Sequence, residues 1–336
     1  MNAMVLDRQA GIATKPLAPR SLPDPLPGPH EIVVRVAACG ICRTDLHVIE
    51  GDLPPHRLPL VPGHQVVGRV DAAGDGAMRF KLGDRVGIAW LHATCGACVF
   101  CSMGAENLCE RSLYTGWDAD GGYAERAVVH EDYAYAIPAA FADDEAAPLL
   151  CAGIIGYRAL ARSRVPAGGR LGLYGFGSSA HIVAQLAKAR GCSLYVATRG
   201  EAHRAAAEEL GAAWVGGATD VPPVALDAAI VFAPAGEIVP PALAALRKGG
   251  TVALAGIHMS PIPAMDYGPH LFHEKTLTSV ESNTRADGEA LLREAAAIPL
   301  RPRVASFPLA EANEALAALA GDGFRGTAVL VPLLSS

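Results

Sequence analysis

Four cysteines, Cys95, Cys98, Cys101 and Cys109, fall within fifteen residues, separated by gaps of two, two and seven. One chain segment with that spacing can wrap a tetrahedral ion and bind it through four thiolates at about 2.3 Å, the geometry of a zinc site. Four protein ligands leave no open position, so this zinc is read as structural and any catalytic centre has to lie elsewhere. Disulfides are the competing use of such thiols. Met1 to Leu17 carries Asp7, Arg8 and Lys15 and has no apolar core followed by a small-residue cleavage site, so no export signal is read there. A cytoplasmic location is therefore expected, and the thiols are expected to stay reduced. The other four cysteines, Cys39, Cys42, Cys151 and Cys192, are scattered.

A chain of 336 residues with 51% hydrophobic and 18% charged residues has material for two packed domains. The longest apolar stretch, Ala228 towards Leu246, is broken by Pro234, Glu237, Pro240 and Pro241, which argues against a membrane span of about twenty residues. The net charge is −6 and no Lys/Arg run stands out, so a nucleic-acid partner is not expected. The stretch from Cys95 to Cys109 itself carries Glu106 and no Lys or Arg, which excludes a zinc-ribbon that grips phosphates. Small molecules are the expected ligands.

The first 150 or so residues break into short β-like runs between turn signals, among them Glu31–Ala37, Val66–Val70 and Arg85–Ile88. They read as a partly open β-barrel. From Arg170 the pattern alternates: strand Leu171–Tyr174, helix Ser179–Arg190, strand Ser193–Ala197, helix Glu201–Leu210, strand Ala228–Phe232, helix Ile238–Arg247 and strand Thr251–Ala255. Such alternation predicts βαβ units and a doubly wound parallel sheet, an α/β fold.

Between the first strand and helix of that half lies Gly175-Phe176-Gly177-Ser178-Ser179-Ala180. Gly175 permits the tight turn, Gly177 lets the backbone approach a pyrophosphate at the helix N-terminus, and Ala180 allows close packing of the helix. An NAD site of this kind carries Asp or Glu about twenty residues further on, to bind the adenosine ribose. Here Thr198 and Arg199 stand at that place. Without the carboxylate a 2′-phosphate is not repelled, and Arg199 and Arg204 are placed to pair with it, so NAD(P) with a preference for NADP is expected. Arg199 stacking on the adenine or facing solvent is the other reading, and Glu201 remains available to a ribose.

Further blocks appear in a fixed order: Gly40-Ile-Cys42-Arg43-Thr44-Asp45-Leu46-His47, Pro62-Gly63-His64-Gln65, the four-cysteine run, Gly121-Gly-Tyr-Ala-Glu125, Leu149-Leu-Cys151-Ala-Gly153 and the glycine turn. In this series the chain resembles the zinc-dependent alcohol dehydrogenases of the medium-chain dehydrogenase/reductase superfamily, over essentially its full length. The resemblance implies a GroES-like catalytic domain at 1–153, completed by 295–336, and a Rossmann coenzyme domain at 154–294, with the active site in the cleft between them. It also implies two zinc ions per chain. The catalytic ion would be held by Cys42, His64 and Cys151 with its fourth position free, the Cys₂His arrangement known for alcohol dehydrogenases. Sequence spacing alone does not pair Cys42 with Cys151.

On the same ground, Asp45 would orient His64. The alcohol proton would leave through Thr44 and a coenzyme ribose hydroxyl to His47, while hydride passes to the nicotinamide. Thr44 is a relay, since its hydroxyl is too weakly acidic to serve as the base, and His47, as an imidazole, is the better group to exchange the proton with solvent. Taken singly, Thr44 also reads as a helix cap and His47 as a surface histidine. Cys39 and Cys192 read as packed, inert thiols. Arg43 would contact the coenzyme pyrophosphate and could slow coenzyme release.

Two departures from the family pattern stand out. Gln65 replaces the usual Glu after the zinc-binding histidine, and Phe324-Arg325-Gly326-Thr327 replaces an Asn-Gly-Arg. Trp90 and Trp117 stand where relatives line the substrate pocket. Bulky rings there would favour small or linear primary alcohols and their aldehydes, with Trp90 as plain core the other reading. A non-catalytic zinc-stabilised dinucleotide-binding protein, and an aldehyde reductase acting on aromatic or allylic substrates, are the alternative functions. The resemblance implies a homodimer or homotetramer, with a subunit contact sought at Thr251–Ala255 and Ile262–Tyr267.

Overall fold

The computed structural model describes residues 1–321, 323 and 326–332. The chain divides into two compact units. The first comprises Met1–Ala152, Thr284–Ala296 and Arg301–Ser336, and the second Gly153–Asn283 with Ala297–Leu300.

Among the described residues, the first unit is built on a seven-stranded sheet. Its order is Val304–Pro308, Thr327–Val331, Glu31–Gly40, Gln65–Ala73, Arg85–Ile88 and Ala134–Ala136, with Arg126–His130 also pairing with Glu31–Gly40. The pairings are antiparallel except the first, which is parallel. Strand Glu31–Gly40 reads as a near-continuous apolar run, and of its ten residues only Arg35 is exposed. A strand paired along much of its length and buried on both faces needs apolar residues at successive positions rather than at alternate ones. Val34, Ile41, Val66, Ile88 and Tyr123 are buried in one core, each apolar side chain contributing about 1.5–3 kcal/mol relative to exposure.

The second unit carries a six-stranded parallel sheet. Its order is Trp214–Gly216, Ser193–Ala197, Arg170–Tyr174, Leu226–Val231, Leu246–Leu254 and Thr276–Ser279. In sequence terms that is 3-2-1-4-5-6, the doubly wound Rossmann order, in which ligands bind at the carboxyl ends of the strands where the order reverses. The helix predicted at Ile238–Arg247 is shorter than expected. A 3₁₀ turn, Gly236–Ile238, leads into Val239–Ala244, and a strand begins at Leu246. Pro240 and Pro241 sit in the first turn, where a missing N–H is tolerated. Leu246 is already buried and paired with Leu226, so the chain is committed to the sheet before Arg247.

No described helix is long and apolar enough to cross a membrane.

Candidate metal centre, four-cysteine lobe and glycine turn

The sheet register assembles the first centre. Gly40 lies opposite Gln65 in the antiparallel pair, so Cys42, just past one strand, and His64, just before the other, emerge at the same end. The third member, Cys151, directly follows the 3₁₀ turn Ala147–Leu150, whose residues are all buried. Cys42 Sγ lies 3.4 Å from His64 Nε2 and 3.7 Å from Cys151 Sγ. Ligands bound tetrahedrally at about 2.3 Å (sulfur) and 2.0 Å (nitrogen) stand about 3.5–3.8 Å apart, so the three side chains fit one ion and leave its fourth position to another ligand.

The same residues organise the local helix, Arg43–Glu50. Cys42 is its N-cap: its Sγ accepts from the Thr44 N–H at 3.4 Å, and its own N–H donates to Asp45 Oδ2 at 2.8 Å. This is a capping box in which a thiol replaces the usual hydroxyl. Thr44 is therefore not the cap that its position suggested. Asp45 has a second task, because its Oδ1 lies 3.1 Å from His64 Nδ1. That contact fixes the ring tautomer and turns Nε2 towards the two sulfurs.

The electrostatics of the centre are polarised. Burial works against a charged His64, yet Asp45 and Cys42 outweigh it and push the imidazole up to about 10. The hydrogen bond from Cys151 holds Cys42 well below the usual thiol range despite burial, with His64 adding to the effect. The lowered Cys42 thiol favours the deprotonated sulfur, which is the form that binds a soft divalent cation.

Thr44 and His47 are three residues apart on the same helix, so they share a face. His47 is half-buried, and its Nδ1 lies 2.7 Å from Asp52 Oδ2. Sequence reasoning missed Asp52. Its only signal is Gly51, whose left-handed cap (φ 98°) turns the chain back towards the helix. Arg43 is exposed in the first turn. Gln65 is fully buried against Gly40, and neither its Oε1 nor its Nε2 has a hydrogen-bond partner among the described residues.

Trp90 meets His64 edge-on, with ring centroids 4.9 Å apart. It stacks on Tyr114 at 5.0 Å and on Trp117 at 6.0 Å, and Trp117 stacks on His56 at 4.1 Å. Tyr114 and Trp117 also stack on each other at 5.8 Å, so the two tryptophans belong to one aromatic cluster that reaches from His64 out to His56. Tyr114 and His56 were not anticipated, because the cluster draws its rings from three segments distant in sequence, around His56, Trp90 and Tyr114–Trp117.

The second centre is the four-cysteine segment. Cys98 Sγ lies 3.5 Å from Cys101 Sγ, and Cys95 Sγ lies 3.9 Å from Cys101 Sγ. Backbone N–H groups of Cys98, Cys95 and Arg111 donate to Cys95, Cys109 and Cys109 sulfurs respectively. Such donors stabilise thiolates, and the sulfurs fit a four-ligand tetrahedral ion. All eight cysteines are free of disulfides. The lobe is anchored by buried Glu106, which accepts from the Arg285 backbone N–H at 2.9 Å and from its Nε at 3.3 Å, while the Arg285 guanidinium lies over the Tyr133 ring.

In the second unit, strand Arg170–Tyr174 ends at Gly175, which adopts φ 88°. A Cβ there would lie 3.0 Å from the Ala233 nitrogen, so both conformation and space demand glycine. Gly177 caps helix Ser178–Ala189 and has open space where a Cβ would be, and Ala180 is buried. A phosphate could approach the backbone at that point. Phe176 is also buried, so its side chain is core and only its backbone remains to meet a ligand. Ser178 and Ser179 are half-buried. Thr198 is buried at the end of strand Ser193–Ala197, Arg199 is exposed, and Arg204 lies half-buried in helix Glu201–Glu209. Arg325 lies outside the described residues.

Residues 28–139 match the family described as "Alcohol dehydrogenase GroES-like domain", and residues 180–297 match "Zinc-binding dehydrogenase". The chain is 52% identical to the probable alcohol dehydrogenase AdhA of Mycobacterium tuberculosis, over 98% of this chain and 97% of that one. It is 35% identical to an alcohol dehydrogenase of Geobacillus stearothermophilus, over 94% and 96%. Among solved structures it resembles a cinnamyl alcohol dehydrogenase from Sorghum bicolor with a TM-score of 0.89 and 29% identity, covering 98% of this chain and 97% of that one. With its GroES-like and Rossmann folds, the chain belongs to the zinc-dependent alcohol dehydrogenase family of the medium-chain dehydrogenase/reductase superfamily.

Proposed function

We propose that the protein reversibly oxidises small or linear primary alcohols to aldehydes, with hydride passing to NAD(P)⁺. The observation that carries this reading is the convergence of Cys42, His64 and Cys151 on one point, with three ligands and room for a fourth. Those three would hold a catalytic zinc, and Cys95, Cys98, Cys101 and Cys109 a structural one. When bound, the catalytic ion supplies Lewis acidity that makes an alcohol proton removable near neutral pH.

The remaining work falls to the chain's own residues. Asp45 orients His64 through Nδ1. Thr44 hands on the proton and His47 receives it. With Asp52 against Nδ1, the proton-accepting nitrogen of His47 is Nε2. The exposed Arg43 guanidinium, at the start of the same helix, is assigned to the coenzyme pyrophosphate.

The first unit is assigned the chemistry and the second the coenzyme. Gly175, Phe176, Gly177, Ser178 and Ser179 would cradle the pyrophosphate, Phe176 through its backbone only. Thr198 replaces the carboxylate that would repel a 2′-phosphate, and Arg199 and Arg204 favour NADP. Of the two stretches expected at a subunit contact in a homodimer or homotetramer, Thr251–Ala255 falls almost entirely within a strand paired on both sides and is mostly buried, whereas Ile262 and Tyr267 are exposed and remain candidates. A cytoplasmic setting suits its eight free thiols.

Trp90 and Trp117 are assigned to the substrate wall. A second reading, reduction of aromatic or allylic aldehydes, is favoured by the same aromatic cluster and by the sorghum relative. Initial rates with 1-propanol and with cinnamyl alcohol, each with NAD and with NADP, test the assignment. Faster turnover of 1-propanol, with NADP the better coenzyme, is the expected result. Faster turnover of cinnamyl alcohol selects the second reading, and no reduction of either coenzyme returns the chain to a non-catalytic role.

A further inference from the structure

Trp117 is held from several directions by a device that the chemistry does not require. Its indole N–H donates to the Pro54 carbonyl at 2.9 Å, and the His56 imidazole stacks on its ring at 4.1 Å and 26°. His56 is itself tethered, because its Nδ1 bonds to Asp118 Oδ1. Asp118 is only 10% exposed in its side chain, and its other oxygen accepts the Tyr114 N–H at 2.8 Å. Asp120 adds two more ties to the same segment, accepting the Val61 N–H at 2.9 Å and Arg57 Nη2 at 3.2 Å. The loop around residues 54–61 is therefore fastened to the loop 114–120 at four points, and the ring between them is Trp117.

We propose that His56, locked by Asp118, is a specificity-determining residue that clamps Trp117 and keeps the aromatic wall rigid against bulky substrates. This rests on the reading of Trp90 and Trp117 as the substrate wall. Trp117 lies 10° from parallel with Trp90, and Trp90 meets His64 edge-on, so the orientation of Trp117 is passed inward to the metal centre through one ring. Rings already engaged with one another cannot turn to stack on an incoming substrate, and a fixed wall selects by size. With the His56 ring removed, the outer support of Trp117 is gone. The indole keeps its inner contacts with Tyr114 at 5.8 Å and Trp90 at 6.0 Å and its hydrogen bond to Pro54, but it is free to tilt outward on the face that His56 had covered. The consequence is admission of planar, bulky alcohols that the clamped wall turns away.

The test compares His56→Ala, His56→Phe and Trp117→Ala with the wild type. It reads kcat/KM for cinnamyl alcohol divided by that for 1-propanol, together with near-ultraviolet circular dichroism of the zinc-loaded enzyme without coenzyme. His56→Ala is expected to raise the ratio about tenfold, mainly through the KM for cinnamyl alcohol, and to weaken the aromatic dichroism. Its kcat for 1-propanol is expected to stay within about twofold. His56→Phe keeps a ring over the indole, so both readouts are expected near wild type. Trp117→Ala should raise the ratio at least as far as His56→Ala. If Trp117→Ala shifts the ratio and His56→Ala leaves both readouts unchanged, the clamp is wrong while the wall stands. If Trp117→Ala does not shift it either, the wall assignment falls and the clamp falls with it.

Discussion

Asp45 joins two structures with one carboxylate: Oδ2 closes the N-terminus of helix Arg43–Glu50 on the Cys42 N–H at 2.8 Å, and Oδ1 holds His64 Nδ1 at 3.1 Å. The helix start and the ligand geometry are therefore one unit. A change at Asp45 perturbs the metal centre from both sides.

Asp45→Asn keeps the shape but weakens the hold on His64. Loss of such a supporting carboxylate typically lowers metal affinity by about 10–100-fold. Zinc retained against a graded chelator should fall by that factor at the centre formed by Cys42, His64 and Cys151, while the four-cysteine site keeps its ion.

Cys98→Ser separates the two centres in the other direction. One thiolate of the lobe is lost, so bound zinc should drop from two to one per chain. The melting temperature should fall by several degrees, because metal binding there is also folding free energy. Activity per remaining catalytic zinc, measured well below the melting range, should be little changed.

Arg199→Ala tests the coenzyme assignment. If its guanidinium pairs with a 2′-phosphate, its loss should raise KM for NADP about tenfold, equivalent to about 1.4 kcal/mol. KM for NAD should stay within about twofold.

Asp227 gives a pH-dependent contribution. Burial raises its pKa, but the Arg170 backbone N–H and the Arg247 and Arg170 side chains outweigh burial and bring it below the ordinary value of 3.8. A carboxyl with a lowered folded pKa contributes stability that is present above the unfolded value and is lost as pH falls through the folded one. Asp227→Asn should therefore be less stable than wild type by about 1 kcal/mol at pH 6. The difference should shrink below about pH 4, as read from urea midpoints across that range.

What was legible in the sequence follows from distance along the chain. The thiolate lobe could be read because its four ligands are nearly contiguous, and the dinucleotide turn because Gly175 and Gly177 sit between an apolar strand and an alanine-rich helix. The cluster proposed as the catalytic site could not be read that way. Cys42, His64 and Cys151 meet only through the Gly40–Gln65 register and the buried turn Ala147–Leu150, and resemblance alone had joined them beforehand. Asp52, Tyr114, His56 and Asp118 were missed because loop turns, not periodicity, deliver them. Burial of the Phe176 side chain leaves its backbone as the part of that residue that faces the turn.

The most direct test is zinc content and 1-propanol oxidation, with NADP as coenzyme, measured together on wild type and Cys42→Ala. Two zinc ions per chain and steady turnover are predicted for the wild type, against one zinc and no detectable turnover for the variant. A variant that keeps two ions, or that turns over like the wild type, would contradict a catalytic metal centre at Cys42, His64 and Cys151.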